Sequence, residues 1–192
     1  MSDATVDIGP QARIVARLAH GVREDQLDLP TPCPDYAVRH LLGHVAGLAV
    51  ALRGAALKET GERTATDPGS ALPDLAPDWR CTLPGTLDAL ARAWEDPAAW
   101  EGMTQAGGLD LPGSVAGLVT ADELVVHGWD LARATGQDYT ADEPALGAAH
   151  ALLSPSEEGP DGLFGPVVPV PDEAPFLDRV IGLSGRDPHW KP

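Results

Sequence analysis

The sequence predicts an all-α protein, a four-helix bundle with long connecting loops and a short C-terminal helix. Several stretches of the 192-residue chain carry apolar residues at intervals of three and four, the spacing of a helix that buries one face. Sustained alternation of apolar and polar residues, which would indicate strands, is nearly absent. Glycine and proline supply 21 and 19 residues, which indicates long connections with sharp ends. We therefore expect helices packed on helices in a single domain over residues 1–192.

The first two helices lie in the N-terminal third of the chain. One spans about residues 10–22 and ends where three prolines interrupt the segment LDLPTPCPD. The other follows Asp35, a candidate N-cap, and continues to about Ala56. Its apolar positions recur at helical spacing: Val38, Leu41, Leu42, Val45, Leu48, Ala49 and Leu52.

A polar connection separates the second helix from the third. Residues 58–81 lack sustained periodicity, so we interpret them as a polar excursion or lid. The third helix is expected over about residues 84–94, with Thr82 as its cap and Pro84 in its first turn. The glycine-rich segment WEGMTQAGGLDLPG that follows is compatible with a short hairpin.

The fourth helix has the strongest pattern in the chain. It runs from Val115 to about Ala134, with Ser114 as its cap and Gly136 as the residue that ends it. Its apolar face carries Val115, Leu118, Val119, Val125, Val126 and Trp129.

The C-terminal part of the chain is expected to add two short helices. The first spans about residues 144–153, and a Pro/Gly-rich connection over about 154–172 is expected to lie extended on the bundle. The second spans about residues 175–183, with Asp172 or Glu173 as its cap and Gly185 at its end. These expectations rest on the residues that usually begin and end helices.

Charge and composition exclude several classes of protein. The formal net charge is −16, so the chain lacks the basic surface that nucleic-acid binding requires. No apolar run approaches the ~20 residues that span a bilayer. The N-terminal residues resemble no export signal, so we expect a cytoplasmic protein with no membrane partner. Cys33 and Cys81 are expected to be free thiols.

Three polar residues on two of the predicted helices form a candidate metal site. Glu123 and His127 lie four residues apart on the fourth helix, so their side chains project from one face. His44 lies beside the apolar stripe of the second helix, and the three residues converge if the two helices are neighbours. Two imidazoles and one carboxylate with a vacant position make a catalytic type of metal site. Asp130, one turn beyond His127, is a candidate to orient an imidazole.

Other interpretations of these residues remain open. A histidine near an apolar stripe is often a hydrogen-bonded core residue, and Glu123 with His127 also fits an ordinary ion pair. A salt bridge to an arginine would equally neutralise a carboxylate among apolar neighbours. His40 and His44 are also four apart, so a site that uses His40 is conceivable. Cys33 is expected to lie roughly 13 Å or more from His44 along the helix axis, too far to share its metal ion.

Two segments resemble a known family. TPCPDYAVRHLLGHVAG and ADELVVHGWDLARATGQ resemble the metal-binding domain of the mycothiol-dependent maleylpyruvate isomerase family, which belongs to the DinB-like group of four-helix-bundle metalloproteins. The tail LFGPVVPVPDEAPFLDRVIGLSGRDPHW is similar to an uncharacterised single-domain branch of that group. The resemblance implies that His44, Glu123 and His127 bind a divalent metal, usually taken to be Zn²⁺. The donor set also accepts Ni²⁺ or Fe²⁺.

The resemblance also implies a thiol cofactor, mycothiol, and therefore a small-molecule thiol as partner. The isomerase itself has a second domain that helps to form its active site, for which we expect no room in 192 residues. Tyr36 stands where the family commonly has tryptophan. We therefore expect a divalent-metal-binding, thiol-dependent transferase or isomerase that acts on an unidentified small molecule. The alternative is a non-catalytic metal or small-molecule binding module, and pairing of exposed helix faces into a homodimer is left open.

Overall fold

The computed structural model describes residues 5–59, 61, 72–154 and 166–192. Within these residues it has six α-helices, two short 3-10 turns and one two-stranded hairpin, which confirms the all-α prediction. The helices are α1 (Gly9–Gly21), α2 (Val38–Ala56), α3 (Trp79–Ala93), α4 (Gly113–Thr135), α5 (Glu143–Leu153) and α6 (Phe176–Leu183).

The first four helices enclose one apolar core. α1 and α2 each pack against both α3 and α4, α5 packs along α4, and α6 packs on α5. Each of the four central helices contributes side chains that are at most 1% exposed, among them Val15, Leu41, Leu87 and Val125. Because α2 and α4 are direct neighbours, polar residues on their facing sides are brought together within the bundle.

The predicted caps of α2 and α3 are wrong. Asp35 lies in a turn with φ of 67°, and α2 begins three residues later at Val38. α3 begins at Trp79 rather than near Pro84, so Pro84 lies inside the helix. The hydroxyl of Thr82 accordingly donates to the carbonyl of Asp78 within the helix instead of capping its first turn.

The starts of α4 and α6 also differ from the prediction. Ser114 is the second residue of α4, whose N-cap position is Pro112. α6 begins at Phe176 after Pro175, without a side-chain cap, so neither Asp172 nor Glu173 has that role. In both helices a proline at the N-cap position sets the extended entry, and no side-chain oxygen is needed there to end the preceding segment.

The predicted hairpin is present and leads directly into α4. Strands β1 (Met103–Ala106) and β2 (Leu109–Pro112) pair antiparallel. Gly107 and Gly108 have φ values of 58° and 79°, the left-handed geometry that a two-residue hairpin turn requires. The hydroxyl of Thr104 donates to the carbonyl of Ala55 at 2.6 Å, which ties the hairpin to the end of α2.

The two long connections are described only in part. Residues 60 and 62–71 of the predicted excursion lie outside the described residues, and 79–81 belong to α3. Residues 155–165 of the second connection also lie outside them. No helix in the described residues is long and apolar enough to cross a membrane.

Candidate metal centre

The side chains of His44, Glu123 and His127 converge between α2 and α4. Nε2 of His127 lies 3.0 Å from Oε2 of Glu123, and Nε2 of His44 lies 3.9 Å from the same oxygen. The two imidazole rings meet edge to face, with centroids 4.8 Å apart. One potential ligand atom from each of the three residues lies within 4.8 Å of the other two. The sequence-based convergence is therefore present, and metal ligation by the three residues remains a prediction.

The cluster is enclosed on one side and reaches solvent on the other. The side chain of His127 is 7% exposed, that of His44 12% and that of Glu123 25%. The ring of Tyr36 stands edge-on to His44 at a centroid distance of 5.4 Å. Tyr36 is half-buried, so its ring covers the cluster beside His44. The cluster is therefore mostly buried, and Glu123 is its most accessible member.

Asp130 orients His127 from the interior of the bundle. Its Oδ2 accepts a hydrogen bond from Nδ1 of His127 at 3.0 Å, and Asp130 is completely buried. A carboxylate can only accept, so the proton must reside on Nδ1. Nε2 of His127 is thereby directed toward Glu123 and His44, as the sequence analysis expected of Asp130.

The charges of the cluster are strongly coupled. Burial disfavours a charged His127, but the hydrogen bonds and charges of Asp130 and Glu123 outweigh it and raise the pKa of His127 to about 9. Burial alone would raise the pKa of Glu123, but the hydrogen bond and charge of His127 lower it. Burial, together with the neighbouring charge of His127, lowers the pKa of His44 to about 4. At neutral pH the metal-free cluster thus holds neutral His44, ionised Glu123 and charged His127.

The donor set fits a divalent transition metal. Two imidazole nitrogens and one carboxylate oxygen are a common protein ligand set for catalytic zinc. Two such ligands at about 2.0–2.1 Å from a tetrahedral ion lie about 3.3 Å from each other. The observed 3.0 Å and 3.9 Å separations bracket that value. A divalent ion held by these three residues would displace the Nε2 proton of His127.

Of the two other residues considered from sequence, His40 lies at the start of α2, outside the cluster, and Cys33 lies closer to the cluster than expected. His40 accepts a hydrogen bond from the backbone N–H of Ala37 through Nδ1 at 3.2 Å, so it caps α2. Cys33 lies beside the cluster, where its sulfur is within 4.8 Å of ligand atoms of His127 and Asp130. The expected long separation along the α2 axis was wrong because the turn that carries Cys33 packs against α4. Among the described residues, Cys33 and His44 still do not belong to one group of ligand atoms.

Sequence reasoning did not detect Arg186 or Asp122. Arg186 donates through Nη2 to Oδ2 of Asp130 at 3.3 Å, from a segment 56 residues further along the chain. Asp122 is buried beside Glu123, and burial together with the charge of Glu123 raises its pKa well above the usual range. No local pattern marks Arg186, since its partner is distant in sequence. For Asp122, the apolar residues around it were the available signal.

Comparison with known proteins identifies a family. Residues 8–132 match the family model of the mycothiol maleylpyruvate isomerase N-terminal domain. Two uncharacterised proteins of Mycobacterium tuberculosis, from strains CDC 1551 / Oshkosh and ATCC 25618 / H37Rv, are each 37% identical over 179 residues. Those alignments cover 89% of this chain and 91% of each relative.

Solved structures of the mycothiol-dependent maleylpyruvate isomerase and of a variant of it are more distant. Each is 19% identical, with a TM-score of 0.49, over 74% of this chain. The chain matches 65% of the isomerase chain, which is less than two thirds of its length.

Proposed function

The chain belongs to the family of the mycothiol maleylpyruvate isomerase N-terminal domain, and from that premise we propose that it is a metal- and thiol-dependent transferase or isomerase. In this proposal His44, Glu123 and His127 hold a divalent ion, and mycothiol is the thiol. The observation that carries the proposal is the convergence of two imidazoles and one carboxylate, from two helices, within 4.8 Å and with an exposed side.

Metal binding requires a defined protonation state of each of the three residues. His44 is neutral above its pKa of about 4, so the lone pair of Nε2 is available without loss of a proton. Glu123 is ionised and supplies the negative charge. His127 must release its Nε2 proton. Its Nδ1 proton stays on the ring and is donated to Asp130 in a hydrogen bond. The resulting ligand set carries a net charge of −1, which suits a divalent ion that keeps a place for an anionic thiolate.

A bound divalent ion would lower the pKa of a coordinated thiol, as it does that of water, and so supply a nucleophile at neutral pH. The residues around the cluster would control access to it. The exposed edge of Glu123 and the ring of Tyr36 leave an approach on one side, and the buried Asp130 side excludes water on the other. Zn²⁺ is the proposed ion, with Ni²⁺ and Fe²⁺ as the other ions that this donor set accepts.

Metal analysis of the purified protein tests the ligand assignment. We expect about one zinc ion per chain in the wild type and its loss in His44→Ala and in Glu123→Gln. His40→Ala is the matched control, because His40 lies one turn earlier on the same helix and bonds to the backbone of Ala37. Equal metal content in all four proteins would contradict the assignment, and so would a metal-free wild type after zinc reconstitution.

Calorimetric titration of mycothiol into the zinc-loaded protein tests the thiol. We expect saturable binding that requires zinc, with glutathione as the control thiol of a different scaffold. His127→Ala should abolish the binding by removing the ion. Stoichiometric zinc without any mycothiol binding would refute the thiol-dependent function and support the alternative, a non-catalytic metal-binding module.

A further inference from the structure

We infer that Arg186, in the C-terminal segment, is a positioning residue for the candidate metal centre: through Asp130 it holds the His127 imidazole in the orientation that metal ligation needs. The inference rests on the proposed metal-binding function and deepens it. It makes the segment after α6 part of the site, although no residue of that segment is among the three proposed ligands.

The buried carboxylate of Asp130 joins the two side chains. Its Oδ2 accepts from Nδ1 of His127 at 3.0 Å and from Nη2 of Arg186 at 3.3 Å. Oδ1 of Asp130 and Nε of Arg186 are both buried, and neither has a hydrogen-bond partner among the described residues. A buried carboxylate is costly unless donors surround it. Among the described residues, the side chains that donate to Asp130 are those of His127 and Arg186.

The guanidinium of Arg186 is itself held in place. Its Nη1 donates to the carbonyl of Ser184 at 2.9 Å, and the side chain is only 16% exposed. The backbone N–H of Arg186 donates to the carbonyl of Ile181 at 3.1 Å. Two residues further on, the carbonyl of Pro188 accepts from Arg133 of α4 at 2.6 Å. The segment is thus held to the end of α6 before the ion pair and to α4 after it.

A second metal ion is a competing explanation for the polar groups at this position. Ligand atoms of Cys33, His127 and Asp130 also lie within 4.8 Å of one another. The guanidinium, however, already contacts Asp130 and places a positive charge beside these atoms. A divalent ion there would be repelled at short range inside the protein. The geometry therefore favours a structural cation, Arg186, over a second metal.

Loss of Arg186 should weaken zinc binding. With one donor removed, Asp130 would have only His127 to hold it, and both side chains could leave their present orientation. Removal of groups that orient a metal ligand typically weakens metal binding by about 10–100-fold. For Arg186→Ala, which acts one contact further away, we expect zinc affinity to fall by about tenfold.

The experiment measures zinc affinity by chelator competition and the visible spectrum of the cobalt-loaded protein. Arg186→Ala should weaken zinc binding and change the cobalt spectrum, and Arg186→Lys should recover part of both. Arg133→Ala is the matched control, because it removes the other anchor of the segment without contacting Asp130. In an Asp130→Asn background, Arg186→Ala should have no further effect.

Each other result overturns the inference. Equal losses in Arg186→Ala and Arg133→Ala would mean that only attachment of the segment matters. Additive effects of Asp130→Asn and Arg186→Ala would mean that Arg186 does not act through Asp130. Two zinc ions per chain in the wild type would show that Arg186 does not take the place of a second metal. If Arg186→Ala does not fold, Arg186→Lys with wild-type affinity and spectrum would still reject the planar guanidinium contact.

The failure of the inference is separable from that of the proposed function. If the wild type binds zinc and Arg186→Ala binds it with equal affinity, only the inference is rejected. A wild type that binds no zinc rejects the metal site and the inference with it.

Discussion

Metal binding should strengthen with rising pH because one proton must leave His127. Its pKa of about 9 in the metal-free protein means that, at pH 7, about 1% of molecules have the free Nε2 that ligation needs. Two pKa units correspond to about 3 kcal/mol of binding free energy. His44, with a pKa of about 4, is already neutral, and Glu123 has a lowered pKa, so neither adds a proton near neutrality. The zinc Kd should therefore fall about tenfold per pH unit below pH 9.

The assay is chelator competition for zinc between pH 5.5 and pH 7. Over this range we expect the Kd to fall by about 30-fold. The upper limit keeps the measurement below the pH at which zinc-bound water ionises, which is about 7. Calorimetry in two buffers of different ionisation enthalpy should show the release of about one proton per ion.

Asp130→Asn is the control for this linkage. Asp130 is one of the two groups that raise the pKa of His127, so the variant should release less than one proton at pH 7. Tight zinc binding that does not change between pH 5.5 and pH 7 would refute the charge assignment. Release of two protons per ion would show that a second ligand is protonated, and would also refute it.

Three further predictions concern packing, thiol access and the ion. Gly117→Ala should lower the free energy of unfolding in urea by about 1–3 kcal/mol, because its Cβ would overlap the Trp100 ring. Gly147→Ala, with open space around it, is the control and should raise that free energy by up to about 1 kcal/mol; equal effects would contradict the packing. Iodoacetamide should label exposed Cys81 at least about tenfold faster than Cys33, because burial raises the pKa of the Cys33 thiol to about 11. Mass spectrometry measures the two labelling rates, and equal rates would contradict this prediction. Free zinc at 100 times its Kd should stabilise the folded state by about 2.7 kcal/mol and raise Tm by about 5–10 °C, and a chelator should reverse both effects. An unchanged Tm would contradict preferential binding of zinc to the folded protein.

Features that depend on residues within one or two helical turns could be predicted from the sequence. The shared face of Glu123 and His127 follows from their i, i+4 spacing, since a helix turns once in 3.6 residues. The end of α4 at Gly136, which adopts φ of 69°, and the hairpin turn at Gly107 and Gly108 follow from the conformational freedom of glycine. The all-α class follows in the same way from apolar periodicity.

Helix starts were predicted less well. Asp35, Thr82 and Ser114 are residue types that favour N-caps, but none of them has that role. Each such residue competes with its neighbours for the end of a helix, and packing of the whole helix decides the outcome. For Ser114, the preceding Pro112 and the hairpin already determine where α4 begins.

The surroundings of the candidate centre were decided by tertiary structure. Helical periodicity indicates which face of a helix is buried, but not which distant residue it meets. The contact of Arg186 with Asp130 spans 56 residues, and the approach of Cys33 depends on the path of a turn rich in proline. Spacing along the chain therefore determined two of the proposed ligands as a pair. The packing of α2 on α4 added His44, and the folding back of the C-terminal segment placed Arg186 against Asp130. Side chains so far apart in sequence meet only when the core has closed.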